Sequence, residues 1–133
     1  MLSAALLSVL AVAGQEPPRD CARPNGHLET VACYGERREQ VEADQRVILS
    51  RINARLDQLP AGGGVNPQQA KQSLGRAQAL WTEFVAADCR TGEALFGEGN
   101  AFALDSLDCE IAHFEDRNRQ LAAFEARYGG AEN

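Results

Sequence analysis

The sequence predicts an all-α protein, a three-helix up-down-up bundle stapled by two disulfides. Apolar residues recur at helical spacing in three long segments, and clusters of proline and glycine separate those segments. No stretch alternates between apolar and polar residues for long enough to predict a strand. The chain has 133 residues and four cysteines, which fits a single small domain with short connections between its helices.

A secretory signal peptide is predicted at residues 1–13. This run is apolar, carries no charged side chain and ends in Ala11-Val12-Ala13, a pattern typical of a cleaved export signal. It is too short to span a bilayer, and the alternative is a buried helix. Cys21 lies well beyond the small-residue site, which argues against a lipid anchor. We therefore expect an exported protein, periplasmic or secreted, without a membrane anchor.

The helical domain is predicted over residues 29–130, after an irregular leader at 14–28 that holds three of the five prolines. Pro60 and the three glycines that follow it are expected to end the first helix. One face of that helix is apolar at steps of three, four or seven residues, and its members are Val41, Ile48, Ile52, Leu56 and Leu59.

The second helix has the clearest start in the chain. Asn66 can cap it, and Pro67 suits the first helical position. The helix is expected to end near Cys89, and the glycine-bearing residues 90–100 are predicted to form a loop. Its apolar stripe is predicted to face the core and comprises Ala70, Leu74, Ala77, Trp81 and Phe84.

The third helix has two candidate caps, Asn100 and Asp105, and Gly129-Gly130 is expected to terminate it. We expect Leu121 on this helix to join Trp81 and Phe84 in the structural core. The apolar face of the third helix comprises Leu107, Ile111, Phe114, Leu121, Phe124 and Tyr128.

The even number of cysteines predicts two disulfides, with three possible pairings. An up-down-up topology places Cys33, Cys89 and Cys109 at one end of the bundle, with Cys21 attached to the same end. The pairs Cys21–Cys33 and Cys89–Cys109 are favoured because each closes a short loop, although bridges between helices are also compatible with the topology. The gaps of 12, 56 and 20 residues lack the close cysteine pairs that a zinc site requires.

The sequence predicts no catalytic site, no bound cofactor and no metal site. Neither histidine, His27 or His113, has a recognisable nucleophile beside it, and no glycine run is followed by the Lys of a phosphate-binding loop. We therefore do not expect an enzyme. A weaker hypothesis is a small envelope enzyme in which folding brings His113 close to Asp108 or Glu110.

The net charge of −6 argues against nucleic acid and anionic membranes as partners and is compatible with a cationic protein. Between residues 90 and 116 there are seven acidic side chains and one arginine. Such a segment is either a solvated surface near a helix N-terminus or a docking surface for a basic partner. The candidate contacts for such a partner are Glu93, Glu98, Asp105 and Asp108.

Three features together resemble one bacterial envelope family. They are the spacing of Cys21 and Cys33, the segment Ala77-Gln78-Ala79-Leu80-Trp81-Thr82-Glu83-Phe84 followed by Asp88-Cys89, and Cys109 followed by Arg117 and Leu121. Over residues 20–128 they resemble the lysozyme inhibitor LprI-like domain. The chain departs from the usual pattern at Val85-Ala86, where the family has Arg-Asp, and at Val47-Ile48, near a usual Leu-Asn pair.

The resemblance implies a secreted or periplasmic helical domain that in some members inhibits lysozyme. On this basis we expect an interaction protein that binds a cationic muramidase such as lysozyme through its acidic segment and blocks the cleft. The alternative is a structural envelope module without inhibitory activity.

Overall fold

The computed structural model describes Cys21, residues 26–97 and residues 99–129. The predicted signal peptide, most of the predicted leader and Glu98 lie outside the described residues. Three long helices, with a short one between the second and the third, form the described structure, and the predicted all-α three-helix bundle is confirmed. The helices are α1 (His27–Gln58), α2 (Pro67–Asp88), α3 (Thr91–Phe96) and α4 (Asn100–Gly129).

The first helix begins and ends at residues with clear local causes. It starts at His27, two residues before the predicted start, and both the backbone N–H and the hydroxyl of Thr30 donate to the Gly26 carbonyl, at 3.0 and 2.8 Å. At the other end Leu59 is extended, with ψ at 132°. A residue that precedes proline is sterically restricted to extended conformations, so Pro60 ends α1 at this point.

A tight turn connects α1 to α2. Gly62 and Val65 exchange two backbone hydrogen bonds, at 3.1 and 3.0 Å, and the two residues between them have φ of +60° and +88°. Glycine adopts such angles without a steric penalty, so the glycine run is needed for the turn. Asn66 then accepts a hydrogen bond from the Gln69 backbone at 3.0 Å and caps α2, which confirms the predicted start of this helix.

Residues 90–100 were predicted to be a loop, and this prediction was wrong in part, because they contain α3. A Cβ at Gly92 would collide with the Asp105 carboxylate of α4, so the glycine here permits a close approach between helices instead of marking a loop. Gly97, with φ of +71°, ends α3. The helix α4 begins at Asn100, and Asp105 therefore lies inside it and is not its cap.

The three long helices run in an up-down-up order. Contacts between α1 and α4 keep a nearly constant offset in residue number, between 72 and 78, so these two helices are parallel. The helix α2 is antiparallel to both, since Gln45 meets Gln78 and Asp57 meets Lys71. The core cluster consists of Ile52, Leu56 and Leu121, and Leu121 is only 2% exposed.

Two disulfides join Cys21 to Cys33 and Cys89 to Cys109, with Cα–Cα distances of 5.8 and 5.6 Å. The favoured pairing of the sequence analysis is thus confirmed. The first bridge lies near the start of α1. The second links the end of α2 to the first half of α4, at the same end of the bundle as the first.

Phe84 was predicted to lie in the core, and this prediction was wrong, because the residue is 54% exposed. Trp81 is half-buried, and its ring packs against Phe114 of α4. The buried side of α2 is rotated relative to the predicted stripe, so that Val85 is buried and Phe84 is exposed. In this orientation Gln78 of α2 faces Gln45 of α1 and donates to it at 2.6 Å.

Candidate partner-binding surface

A layer of amide side chains crosses the middle of the bundle and links all three long helices. Gln45 of α1 is only 5% exposed, donates to Asn118 of α4 at 3.2 Å and accepts from Gln78 of α2 at 2.6 Å. Asn118 in turn donates to the Val41 carbonyl at 2.9 Å. Buried amides are stable only when their donors and acceptors are paired, and in this layer each helix supplies partners for the others.

Two residues of the motif that resembles the LprI-like domain meet at this layer. The Nε of Arg117 donates to the side-chain oxygen of Gln78 at 3.2 Å, and a second arginine nitrogen donates to Gln120. The glutamine of the Ala77-Gln78 pair therefore holds helices together. Its position in the bundle gives it a structural role, away from the acidic segment.

Charge is divided sharply on the two sides of the amide layer. We refer to residues 27–44, 79–97 and 100–116 as the disulfide end, and to residues 46–77 and 117–129 as the opposite end. The disulfide end carries thirteen acidic side chains and three arginines, a net charge of −10. The opposite end carries eight basic and two acidic side chains, a net charge of +6. The described bundle is thus an electrostatic dipole along its axis.

The predicted contacts Glu93, Asp105 and Asp108 all lie at the disulfide end, exposed, on α3 and α4. Glu98 lies outside the described residues. Glu39 and Glu83 were not predicted as contacts, but the packing of the helices brings them to the same end. Glu39 lies on α1, which is parallel to α4, and Glu83 lies on the antiparallel α2. Five of these acids therefore have no hydrogen-bond or ion-pair partner among the described residues. They are Glu39, Glu83, Glu93, Asp105 and Asp108.

Several other acids at the disulfide end pair with Arg37 and Arg38, the two arginines that α1 carries at this end. Arg37 pairs with Glu115 at 2.5 Å, and this hydrogen bond is the main reason that the pKa of Arg37 is raised. Arg38 pairs with Glu110 at 2.8 Å and also with Glu42. Desolvation lowers the pKa of Arg38, but its two carboxylate partners raise the pKa by more, and the net shift is upward. The pairs of Arg37 with Glu115 and of Arg38 with Glu110 hold α1 against α4.

A polar recess of about 100 Å³ opens between α1 and α4 beside the Arg37–Glu115 pair. The exposed carboxylate of Asp108 stands at its edge, close enough to raise the pKa of Arg37 slightly by its charge. The recess is lined by Tyr34, Arg37, Asp108, Ile111, Ala112 and Glu115. It is part of the disulfide end and adds a concave feature to that acidic surface.

Comparison with known protein families identifies the family of this chain. Residues 21–121 match the family model described as lysozyme inhibitor LprI, which covers most of the chain and includes all four cysteines. The chain belongs to this family. No curated protein and no solved structure matches it. The matched LprI region contains the amide layer, both disulfides and the whole of the disulfide end.

His113 of this LprI family member pairs with Asp88, and not with Asp108 or Glu110 as the enzyme hypothesis required. Its Nε2 lies 2.7 Å from the Asp88 carboxylate. The sulfurs of Cys89 and Cys109 lie within 4.8 Å of the ring nitrogen, but they are bonded to each other. They are therefore neither thiolates that the histidine could activate nor free metal ligands.

No described helix has both the length and the apolar character needed to cross a membrane.

Proposed function

We propose that the protein is exported and inhibits a cationic muramidase, such as lysozyme, by docking its disulfide end over the substrate cleft. Membership of the LprI family supports inhibition in preference to catalysis. The two disulfides support an oxidising, extracytoplasmic location. The observation that carries the proposal is the net charge of −10 at one end of the bundle.

Charge of this size acts chiefly on association. A concentrated negative field steers a positively charged protein toward the end that produces the field, and it raises the association rate more than the final affinity. The opposite end, with a net charge of +6, repels the same partner, so the dipole also sets the orientation of approach. Once docked, the ends of three helices block the access of a polysaccharide to the cleft.

The contacts that we propose are the exposed acids that have no partner among the described residues. Glu93, Asp105 and Asp108 come from the acidic segment, and Glu98 is included on the sequence alone. Glu39 and Glu83 extend the same surface onto α1 and α2. A partner can use the described acids without breaking an ion pair inside the bundle, so less of the interaction energy is lost on docking.

The test is a lysozyme turbidity assay together with binding kinetics, at ionic strengths from 0.01 to 1 M. The test variant carries Glu93→Gln and Asp108→Asn. The control, matched in charge, carries Asp57→Asn and Glu125→Gln, which change the net charge equally but at the opposite end. Because these two acids pair with Lys71 and Arg51, circular dichroism first verifies that the control is folded under the assay conditions. We expect the test variant to associate at least about threefold more slowly at low salt. The difference should vanish near 1 M, where the screening length is about 3 Å.

Two results would contradict the proposal in different ways. Equal association rates of the test variant, the control and the parent would mean that the disulfide end is only a solvated surface. A parent protein that fails to inhibit lysozyme at every salt concentration would make the inhibitor proposal itself wrong. The structural envelope module would then be the better account of this family member.

A further inference from the structure

Two large apolar side chains are exposed on the same side of α2 at the disulfide end. Leu80 is 49% exposed and Phe84 is 54% exposed, and they lie one helical turn apart. Residues at this spacing have their Cβ atoms about 5–6 Å apart and form one continuous patch. The packing of the bundle does not require large apolar side chains at these two positions, because α2 already buries Val85 and part of Trp81.

The Phe84 ring is held at the surface by its neighbours. It packs edge to face on the His113 ring, with centroids 5.3 Å apart and planes at 86°. His113 is in turn fixed by its 2.7 Å contact with Asp88, one turn after Phe84 on the same helix. A ring whose orientation is already set loses little conformational entropy when a partner covers it, which is the property of a pre-organised contact.

The surroundings of this patch indicate what kind of partner it fits. Glu83 lies between the two apolar residues in sequence, and Asp88 follows them, at an end whose net charge is −10. Protein interfaces combine a desolvated aromatic or apolar centre with a charged rim, and the centre contributes most of the binding energy. A negative rim around an apolar centre is complementary to an apolar recess bordered by Lys and Arg.

We propose that Leu80 and Phe84 form the apolar anchor through which the disulfide end holds a cationic protein. The anchor rests on the proposed function in one respect, namely that the cationic protein is a muramidase. The two parts of the surface then act on different rates. The unpaired acids govern association, and the anchor governs dissociation, because the anchor forms short-range contacts that salt does not screen.

The experiment measures association and dissociation rates of the full mature chain on immobilised lysozyme at two salt concentrations. The variants are Phe84→Ala and Leu80→Ala, and the second leaves the pair of His113 and Asp88 untouched. The matched control is Tyr128→Ala, since Tyr128 is 59% exposed and packs against Phe124 at 4.9 Å at the opposite end. We expect Phe84→Ala to dissociate at least about tenfold faster than the parent.

The expected pattern has three further parts. Leu80→Ala should dissociate faster by a smaller factor, Tyr128→Ala should match the parent, and all association rates should agree within about twofold. The ratio of dissociation rates should be the same at both salt concentrations. A parent that binds while Phe84→Ala dissociates like Tyr128→Ala would overturn the anchor alone. A parent that does not bind lysozyme at either salt concentration would overturn the anchor and the proposed function together.

Discussion

The Trp81 and Phe114 rings meet edge to face, with centroids 5.0 Å apart and planes at 81°. The Phe114 ring also contacts α1, because the Arg38 guanidinium lies over it with its central carbon 5.1 Å from the ring centroid. Phe114 is only 7% exposed. One aromatic ring of α4 therefore contacts side chains of α1 and α2, and it links the three long helices at the disulfide end.

This position predicts a clear contrast between two phenylalanines. Phe114→Ala should lower the free energy of unfolding by about 3–5 kcal/mol, since it removes a buried ring and leaves a cavity. Phe84→Ala should lower it by about 1 kcal/mol or less, because the ring is largely exposed. Urea denaturation followed by far-UV circular dichroism measures both. Similar losses for the two variants would mean that Phe84 belongs to the core after all.

Local signals were sufficient for the end of α1, the start of α2 and the favoured disulfide pairing. Asn66 and Pro67 mark the start of α2 because capping and proline preference depend only on neighbouring residues. The bridge between Cys89 and Cys109 was favoured because it closes a short loop, although other bridges were compatible with the topology. In each case the deciding physics is short in range along the chain.

The rotation of α2 could not be read from its pattern. Trp81, Phe84 and Val85 are all apolar and lie within one turn, and the choice between them depends on which neighbour the helix faces. Gln45 was missed because a buried amide in a helix looks like any surface glutamine until its partners are known. The same reason hid Glu39 and Glu83 from the acidic surface, since only the packing brings them to it.

The amide layer should be sensitive to the loss of one member. Gln45→Leu leaves the Asn118 oxygen and the Gln78 nitrogen without their partners, and unpaired buried polar groups cost about 1–3 kcal/mol. We expect a loss of stability in that range by urea denaturation. Gln40→Leu is the control on the same helix, exposed and bonded only to Asp44, and should change stability by less than about 0.5 kcal/mol.

The second variant of this series replaces two members at once. Gln45→Leu combined with Gln78→Leu removes a donor together with its acceptor, so it should cost less than the sum of the two single changes. Full additivity would show that the two glutamines do not interact in the folded protein. A gain of stability in Gln45→Leu alone would mean that the layer is not a stabilising feature of the fold.

Glu125 gives the fold a pH dependence at the opposite end of the bundle. Two hydrogen bonds from Arg51, both 3.0 Å, hold the pKa of Glu125 below its ordinary value of 4.5, against an opposing effect of desolvation, and the charges of Arg51 and Arg55 add to the lowering. A carboxyl whose pKa is lower in the folded state stabilises the fold fully above its unfolded pKa. The stabilisation is lost as pH falls through the folded value.

Glu125→Gln should therefore be less stable than the parent at pH 7, and the difference should shrink as pH falls below about 4.5. Thermal unfolding at pH 7, 5, 4 and 3 measures it. Arg51→Gln should show the same closing difference, because it removes the other half of the pair. In the Arg51→Gln background, Glu125→Gln should cost only the weaker contribution of Arg55, whose Nε is 3.7 Å from the carboxylate. If the difference in stability between Glu125→Gln and the parent were the same at all four pH values, the ionised carboxylate of Glu125 would not be the source of the stabilisation.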